Sequence, residues 1–258
     1  METIANEGYV TSVTGENGIT TISFFHQAQN SLPGVLLAKL AEAILAGSSN
    51  LKTKLIILKS EGELAFCAGA SFDELLQITT KEEGVRFFSG FAKVINACRL
   101  SKKIIIGRVH GKAVGGGVGI AAVTDYCFAT AKASIKLSEL TIGIGPFVIG
   151  PAVIRKIGLS AFSALAINAS DFKTAEWAKE KGLYAEVFES PQDMDNAISL
   201  LSQNMVLWSP NALSAFKKTL WEGTDNWSTL LAERAAISGE LVLSSFAQEA
   251  ISKLKIRK

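Results

Sequence analysis

Histidine and cysteine are scarce in this chain: His26 and His110 are the only histidines, and Cys67, Cys98 and Cys127 the only cysteines, in 258 residues. Three cysteines cannot all pair, and none stand in CxxC spacing. Neither a disulfide framework nor a zinc ligand set is expected, and the thiols should be reduced. Excess charge is missing too. With 26 basic and 24 acidic residues the formal charge is +2, so no field argues for nucleic acid. Lys253, Lys255, Arg257 and Lys258 gather at the end and read as a solvated tail, with contact to the phosphate groups of a ligand as the second reading. No uninterrupted apolar run approaches the roughly 20 residues of a membrane span. The opening METIANEGYV has no basic segment ahead of an apolar one, so no signal peptide is expected. These absences predict a soluble, cytoplasmic protein without metal, nucleic-acid or membrane partners.

What is present is apolar material in patterned segments. Hydrophobic residues make up 48% against 19% charged, enough to build a sizeable core. Strands are expected at Tyr9–Thr14 and Ile19–Phe25, joined by the turn 15–18, and at Leu55–Lys59, Ile104–Val109, Tyr126–Thr130 and Ala185–Phe188. Residues 66–70, Phe-Cys-Ala-Gly-Ala, read as a small-residue loop. Helices are expected at 33–46, with Gly47 just past the end, and at 81–98, where Val85, Phe88, Phe91, Ala92 and Ile95 form a core stripe. Further helices follow at 161–167, 174–181, 191–204, 211–220, 227–243 and 246–254. Apolar strands alternating with helices indicate a parallel sheet buried on both faces. The chain divides by character into an α/β core, 1–190, and a helical region, 191–258.

Residues 115–119, Gly-Gly-Gly-Val-Gly, follow the strand ending at Val109 and open a helix, a place where backbone amides face an anion. One reading is a dinucleotide fingerprint, since 117–122 imitates GxGxxA. That motif requires an acid at the end of the next strand, and residues 129–132, Ala-Thr-Ala-Lys, supply none. The other reading pairs this loop with Ala65–Ala70. Two amides from two small-residue loops, converging on one point, would form an oxyanion hole for a carbonyl gaining charge.

The segments AFCAGAS (65–71), VHGKAVGGGVGIAAVTDYCFAT (109–130) and IKLSELTIGIGPF (135–147) resemble the crotonase superfamily, the enoyl-CoA hydratase/isomerase family. Asn30-Ser31-Leu32, residues 168–187 and Ser209–Ala212 extend the likeness in order along nearly the whole chain. The resemblance implies an α/β spiral of ββα units with a helical C-terminal region that mediates a homotrimer or a dimer of trimers. It implies an acyl-CoA thioester substrate, coenzyme A being part of that substrate and no separate cofactor needed. Carried over by position, the oxyanion amides are those of Ala70 and Gly116. Phe66, Ala68, Gly69, Gly115 and Gly117 are the expected substrate-binding residues, Ala68 toward the adenine end.

Two acids mark the hydratases of this family. The first falls here on Gly119; the second is retained as Glu139. Usual hydration, with two carboxyl groups around one water, lacks half its apparatus. One carboxylate still suffices to move a proton from carbon 2 to carbon 4 of a 3-enoyl thioester, so double-bond isomerisation is the expected reaction. Leu137, Leu140, Ile142 and Ile144 should raise the Glu139 pKa. Three alternatives stay open: hydration with a water in the volume left at Gly119 and a polar group not identified, a non-catalytic acyl-CoA binder, and thioester hydrolysis or decarboxylation. Asp125 is expected to make local backbone hydrogen bonds, His110 to pair a ring nitrogen with backbone, and Cys67 to be unreactive. Ser71 and Ala247 stand where acids are common in the family.

Overall fold

After its first three strands, this chain sends alternate strands into two different sheets. The computed structural model describes residues 8–256, excluding the side chains of 254–256. Residues 1–7 and the basic positions Lys255 (side chain), Arg257 and Lys258 lie outside the described residues. The strands β1 (Tyr9–Thr14) and β2 (Ile19–Phe25) pair antiparallel. Beyond β2 every pairing in the larger sheet is parallel, through β3 (Leu55–Ser60), β5 (Ile105–Val109), β7 (Tyr126–Thr130) and β9 (Glu186–Phe188). Between them β4 (Ala65–Cys67), β6 (Lys112–Val114) and β8 (Ile135–Lys136) form a small parallel sheet.

From β3 onward each turn of the spiral lays one strand in each sheet before a helix returns the chain; the first turn puts both β1 and β2 in the larger sheet. The helices are α1 (Gly34–Ser49), α2 (Phe72–Leu75), α3 (Lys81–Leu100), α4 (Gly116–Ala122) and α5 (Gly150–Ile167), then α6 (Ala175–Glu180), α7 (Pro191–Met205), α8 (Pro210–Leu220), α9 (Trp227–Leu241) and α10 (Ser245–Ile256). Strand alternation sorts side chains to the two faces of the large sheet. Ile56 and Ile105 join the main core with Leu37, Leu40 and Phe91, whereas Leu55, Ile106 and Phe128 meet Met194, Ile198 and Met205. Both faces are covered, which explains the near-continuous apolar strands. Sequence position 190 falls between β9 and α7, and α7 packs back on the sheet.

Several boundaries differ from the sequence reading. Residues 65–67, expected in a loop, form β4 because β6 offers them a partner. Strands of two or three residues are too short to show a period, so β6 and β8 left no signal. Helix α1 continues through Gly47, which is buried over Ile56. Helix α5 starts at Gly150, eleven residues before the expected start. By length and composition alone it would pass for a membrane span. Gly158 (φ 77°, ψ 159°) breaks it, however, and Ala152, Val153 and Ile157 in its first half are buried.

Asp125 does more than cap locally. Its carboxylate accepts from the Ile105 amide (2.8 Å), from Lys217 Nζ (2.6 and 2.9 Å) and from Trp221 Nε1 (3.0 Å). Both charged side chains are almost fully enclosed, 2% and 3% exposed. Arg155 stacks on the Trp221 ring at 4.2 Å. This cluster ties the end of α8 to the sheet. The expected backbone partner of the His110 ring is also absent: neither buried ring nitrogen has a hydrogen-bond partner among the described residues. Burial, with Arg108 adding to it, pulls the His110 pKa down to about 4, so the ring stays neutral near pH 7.

Candidate active site

At the C-terminal ends of the small-sheet strands, three loops meet around a cleft of about 590 Å³, mouth included. Residues 68–70 follow β4, residues 115–116 follow β6, and Ser138 and Glu139 follow β8. The first two loops abut. Gly69 (φ 89°) lies so close to the second that a Cβ would sit 2.8 Å from the Val114 carbonyl and 3.5 Å from the Gly116 nitrogen. Gly115 (φ 53°, ψ −118°) turns the chain into α4 in a conformation L side chains avoid. A Cβ there would lie 3.0 Å from Glu139 Oε1.

The Gly115 amide is spent on the Lys136 carbonyl (2.8 Å). The Ala70 and Gly116 amides have no acceptor among the described residues, and both residues line the cleft. They are the two amides that the family resemblance implies as oxyanion donors, and their loops are in contact. Ala68, Gly69 and Gly115 line the cleft as well. Phe66 and Gly117 do not. The Phe66 ring is 1% exposed and packs edge-on against Phe24, while Gly117 backs onto the Cys67 carbonyl. Their contribution is to hold the loops from behind.

Glu139 opens a 3-10 turn, Glu139–Ile142, stationed over the glycine loop. The residue is half-buried, but its Oε2 is sealed from solvent and has no hydrogen-bond partner among the described residues. Burial in this apolar setting raises the Glu139 pKa from 4.5 to about 7. Glu139 is the single titratable side chain lining the cleft among the described residues. The aromatic rings of Phe88 and Phe91, which the sequence placed simply in the core, form part of its wall. Ser138 and Ser238 supply the hydroxyls; Ser238 arrives from α9 because Gly84 and Gly239 let α3 and α9 touch backbone to backbone. No local signal in the sequence marks Ser238.

Gly119 faces a filled space. A Cβ there would sit 2.5 Å from Ile149 Cγ2 and 2.7 Å from Ile149 Cβ. The hydration alternative placed a water in this volume; next to the Gly119 backbone the space is taken by the Ile149 side chain. Cys67 is buried, its thiol pushed up to about 12, and its Sγ accepts from the Gly69 amide at 3.4 Å. This is a loop support rather than a nucleophile. Ser71 caps α2 by accepting from the Glu74 amide. Ala247 is fully buried, its Cα close to Gly143. No group of three or more metal-ligating side chains occurs among the described residues.

A sequence profile described as "Enoyl-CoA hydratase/isomerase" matches residues 14–253. The chain is 28% identical over 194 residues to the 2,3-dehydroadipyl-CoA hydratase of Escherichia coli (strain K12), covering 75% of this chain and 74% of that protein. It is 28% identical over 206 residues to the peroxisomal Delta(3,5)-Delta(2,4)-dienoyl-CoA isomerase of Arabidopsis thaliana, covering 74% and 72%. The crystal structure of an enoyl-CoA hydratase from Bacillus halodurans superposes with a TM-score of 0.87 at 21% identity, over 95% of this chain and 99% of that one. That structural likeness bears on the fold.

Proposed function

The chain belongs to the enoyl-CoA hydratase/isomerase family, and from that premise we propose that this acyl-CoA-processing enzyme moves the double bond of an enoyl-CoA thioester with Glu139 as its single proton shuttle. The observation that carries the reading is the solitary, buried carboxyl over the paired glycine loops, with Ile149 in the space of a second acid. The ionised Glu139 removes a proton from carbon 2 of a 3-enoyl thioester. The electron pair left behind spreads onto the thioester oxygen, which accepts hydrogen bonds from the Ala70 and Gly116 amides. The protonated Glu139 then returns its proton at carbon 4, giving the 2-enoyl product. Water is neither consumed nor released. A pKa near 7 suits a group that must give back the proton it takes.

Hydration is the second reading, favoured by the hydroxyls of Ser138 and Ser238 in the cleft and by the hydratase among the relatives. The deciding experiment presents purified enzyme with 2-enoyl-CoA, 3-enoyl-CoA and 3-hydroxyacyl-CoA and follows products by mass and absorbance. Double-bond migration without mass change is the expected result. A gain of one water on 2-enoyl-CoA would replace isomerisation with hydration; binding without product would leave an acyl-CoA carrier, and released free CoA or CO2 would mean hydrolysis or decarboxylation.

We also propose that residues 191–258 serve trimer assembly. Trp221, Trp227 and Leu231 are buried within the chain, but Leu207, Trp208, Phe216 and Phe246 remain exposed, apolar area suited to subunit contact. A monomeric mass in solution would refute that.

A further inference from the structure

The Glu139 cleft has a neighbour. Gly145, Pro146 and Phe147 form a wall shared with a second groove of about 730 Å³, mouth included. Helix α9 runs past both. Ser238 lines the Glu139 cleft, and Arg234, four residues or about 6 Å earlier on the same helix face, lines the second groove. The remainder of that groove is apolar, with Leu140 beside Glu139 in sequence and Ile154 and Phe162 from α5. Arg234 is its one charged residue among the described residues, and no hydrogen-bond acceptor or carboxylate engages it.

A guanidinium against hydrocarbon is half of an interaction. Its parallel N–H donors match a carboxylate in both charge and shape. A plain hydrocarbon tail reaching this groove would satisfy its walls and leave the cation unanswered. A tail of the same length ending in a carboxylate satisfies both. We propose that the acyl chain of the substrate ends in a carboxylate received by Arg234. The substrate class is then a dicarboxylic acid joined to coenzyme A at one end only. This inference rests on the enoyl-CoA reading of the Glu139 cleft, and it makes Arg234 a specificity residue remote from the reacting carbons.

Binding and turnover are tested separately, so that the two readings fail separately. Calorimetric titration compares hexanoyl-CoA with adipyl-CoA, two saturated thioesters differing at the far end. Wild type is expected to bind adipyl-CoA at least tenfold more tightly, Arg234→Met to lose that preference while holding hexanoyl-CoA as before, and Arg234→Lys to keep part of it. Turnover of 3-hexenoyl-CoA and of its ω-carboxylated analogue should follow the same order in kcat/KM. Equal affinity of wild type for the two saturated thioesters, or an unchanged preference in Arg234→Met, overturns the proposal. So does equal weakening of both ligands with a changed solution mass, which would assign the groove to contact between copies of this chain. Failure of turnover alone, with the binding preference intact, would refute the isomerase reading and leave the assignment of Arg234 standing.

Discussion

Replacing Glu139 by glutamine separates what this carboxyl does for turnover from what it costs the fold. Burial lifts its pKa from 4.5 to about 7, and Oε2 has no partner among the described residues. That direction fixes the sign of the pH dependence. Between about pH 4.5 and pH 7 the native state holds a proton that the unfolded chain has released. Stability therefore falls as pH rises through this window and stays reduced above it. At 1.36 kcal/mol per pH unit the deficit approaches about 3 kcal/mol. Glutamine never ionises, so it escapes this loss. Its own cost, a buried amide short of partners, is about 1–3 kcal/mol and independent of pH. The quantity to read is thus the change, between pH 4 and pH 8, in the stability difference between variant and wild type. Urea unfolding should show that difference moving toward the variant by as much as about 3 kcal/mol.

Activity should move the other way. Loss of a positioned general base removes about 10²–10⁴-fold in rate, and wild-type kcat/KM should rise with pH through about 7 as Glu139 ionises. Binding of a saturated acyl-CoA should survive, because the Ala70 and Gly116 amides are untouched. A stability difference that is the same at both pH values would refute the buried, proton-holding carboxyl. Wild-type turnover in Glu139→Gln would refute its role as base.

Three further outcomes follow from the packing. Gly116→Ala drives a methyl into the Phe91 ring and shifts the amide proposed as an oxyanion donor, so kcat should drop about 10²–10³-fold while circular dichroism stays native; undiminished kcat would remove Gly116 from the proposed hole. Lys217→Met leaves Asp125 charged and enclosed without its cation, which should cost about 3–5 kcal/mol in urea unfolding, and an unchanged midpoint would contradict the buried pair. Gly119→Glu alone should overpack against Ile149 at a cost of about 1–3 kcal/mol, whereas adding Ile149→Ala should recover stability and introduce water addition to 2-enoyl-CoA. A double variant no more stable than the single one would refute the steric account.

The sequence carried those parts of the fold whose signals are local. Strands β1, β2 and β7 fall where alternating or continuous apolar runs put them, and the glycine loop was legible as a place where amides stay free. The small sheet was not, because β8 has two residues and β4 and β6 three each, too few to carry a period. Its existence follows from pairing across about 47 residues between β4 and β6. The site shows the same division. Ala70, Gly116 and Glu139 are placed by their positions within segments that resemble the family, while Ser238 reaches the cleft only through the Gly84–Gly239 crossing of α3 and α9. The reach of Asp125 is hidden from local sequence for a similar reason: Lys217 and Trp221 lie more than 90 residues away.

Gly119 is where the two kinds of information must be combined. From the sequence it is a missing acid, and a missing acid invites a water in its place. The packing gives it a different character, since the Ile149 side chain stands where the side chain of residue 119 would begin. Glycine at 119 and isoleucine at 149 are therefore one steric arrangement, and neither position can change alone without strain or a void. Burial raises the Glu139 pKa to about 7, and Ile149 is among the apolar residues lining the same cleft. On the proposed single-glutamate reading the two features are coupled: isoleucine in that space would both exclude a water and contribute to the burial that raises the Glu139 pKa. Widening that wall by Ile149→Ala alone should accordingly lower the Glu139 pKa, readable as an acid-ward shift of the kcat/KM profile, with no second base gained. A profile that stays centred near pH 7 in that variant would mean that Ile149 does not set the dryness of the site.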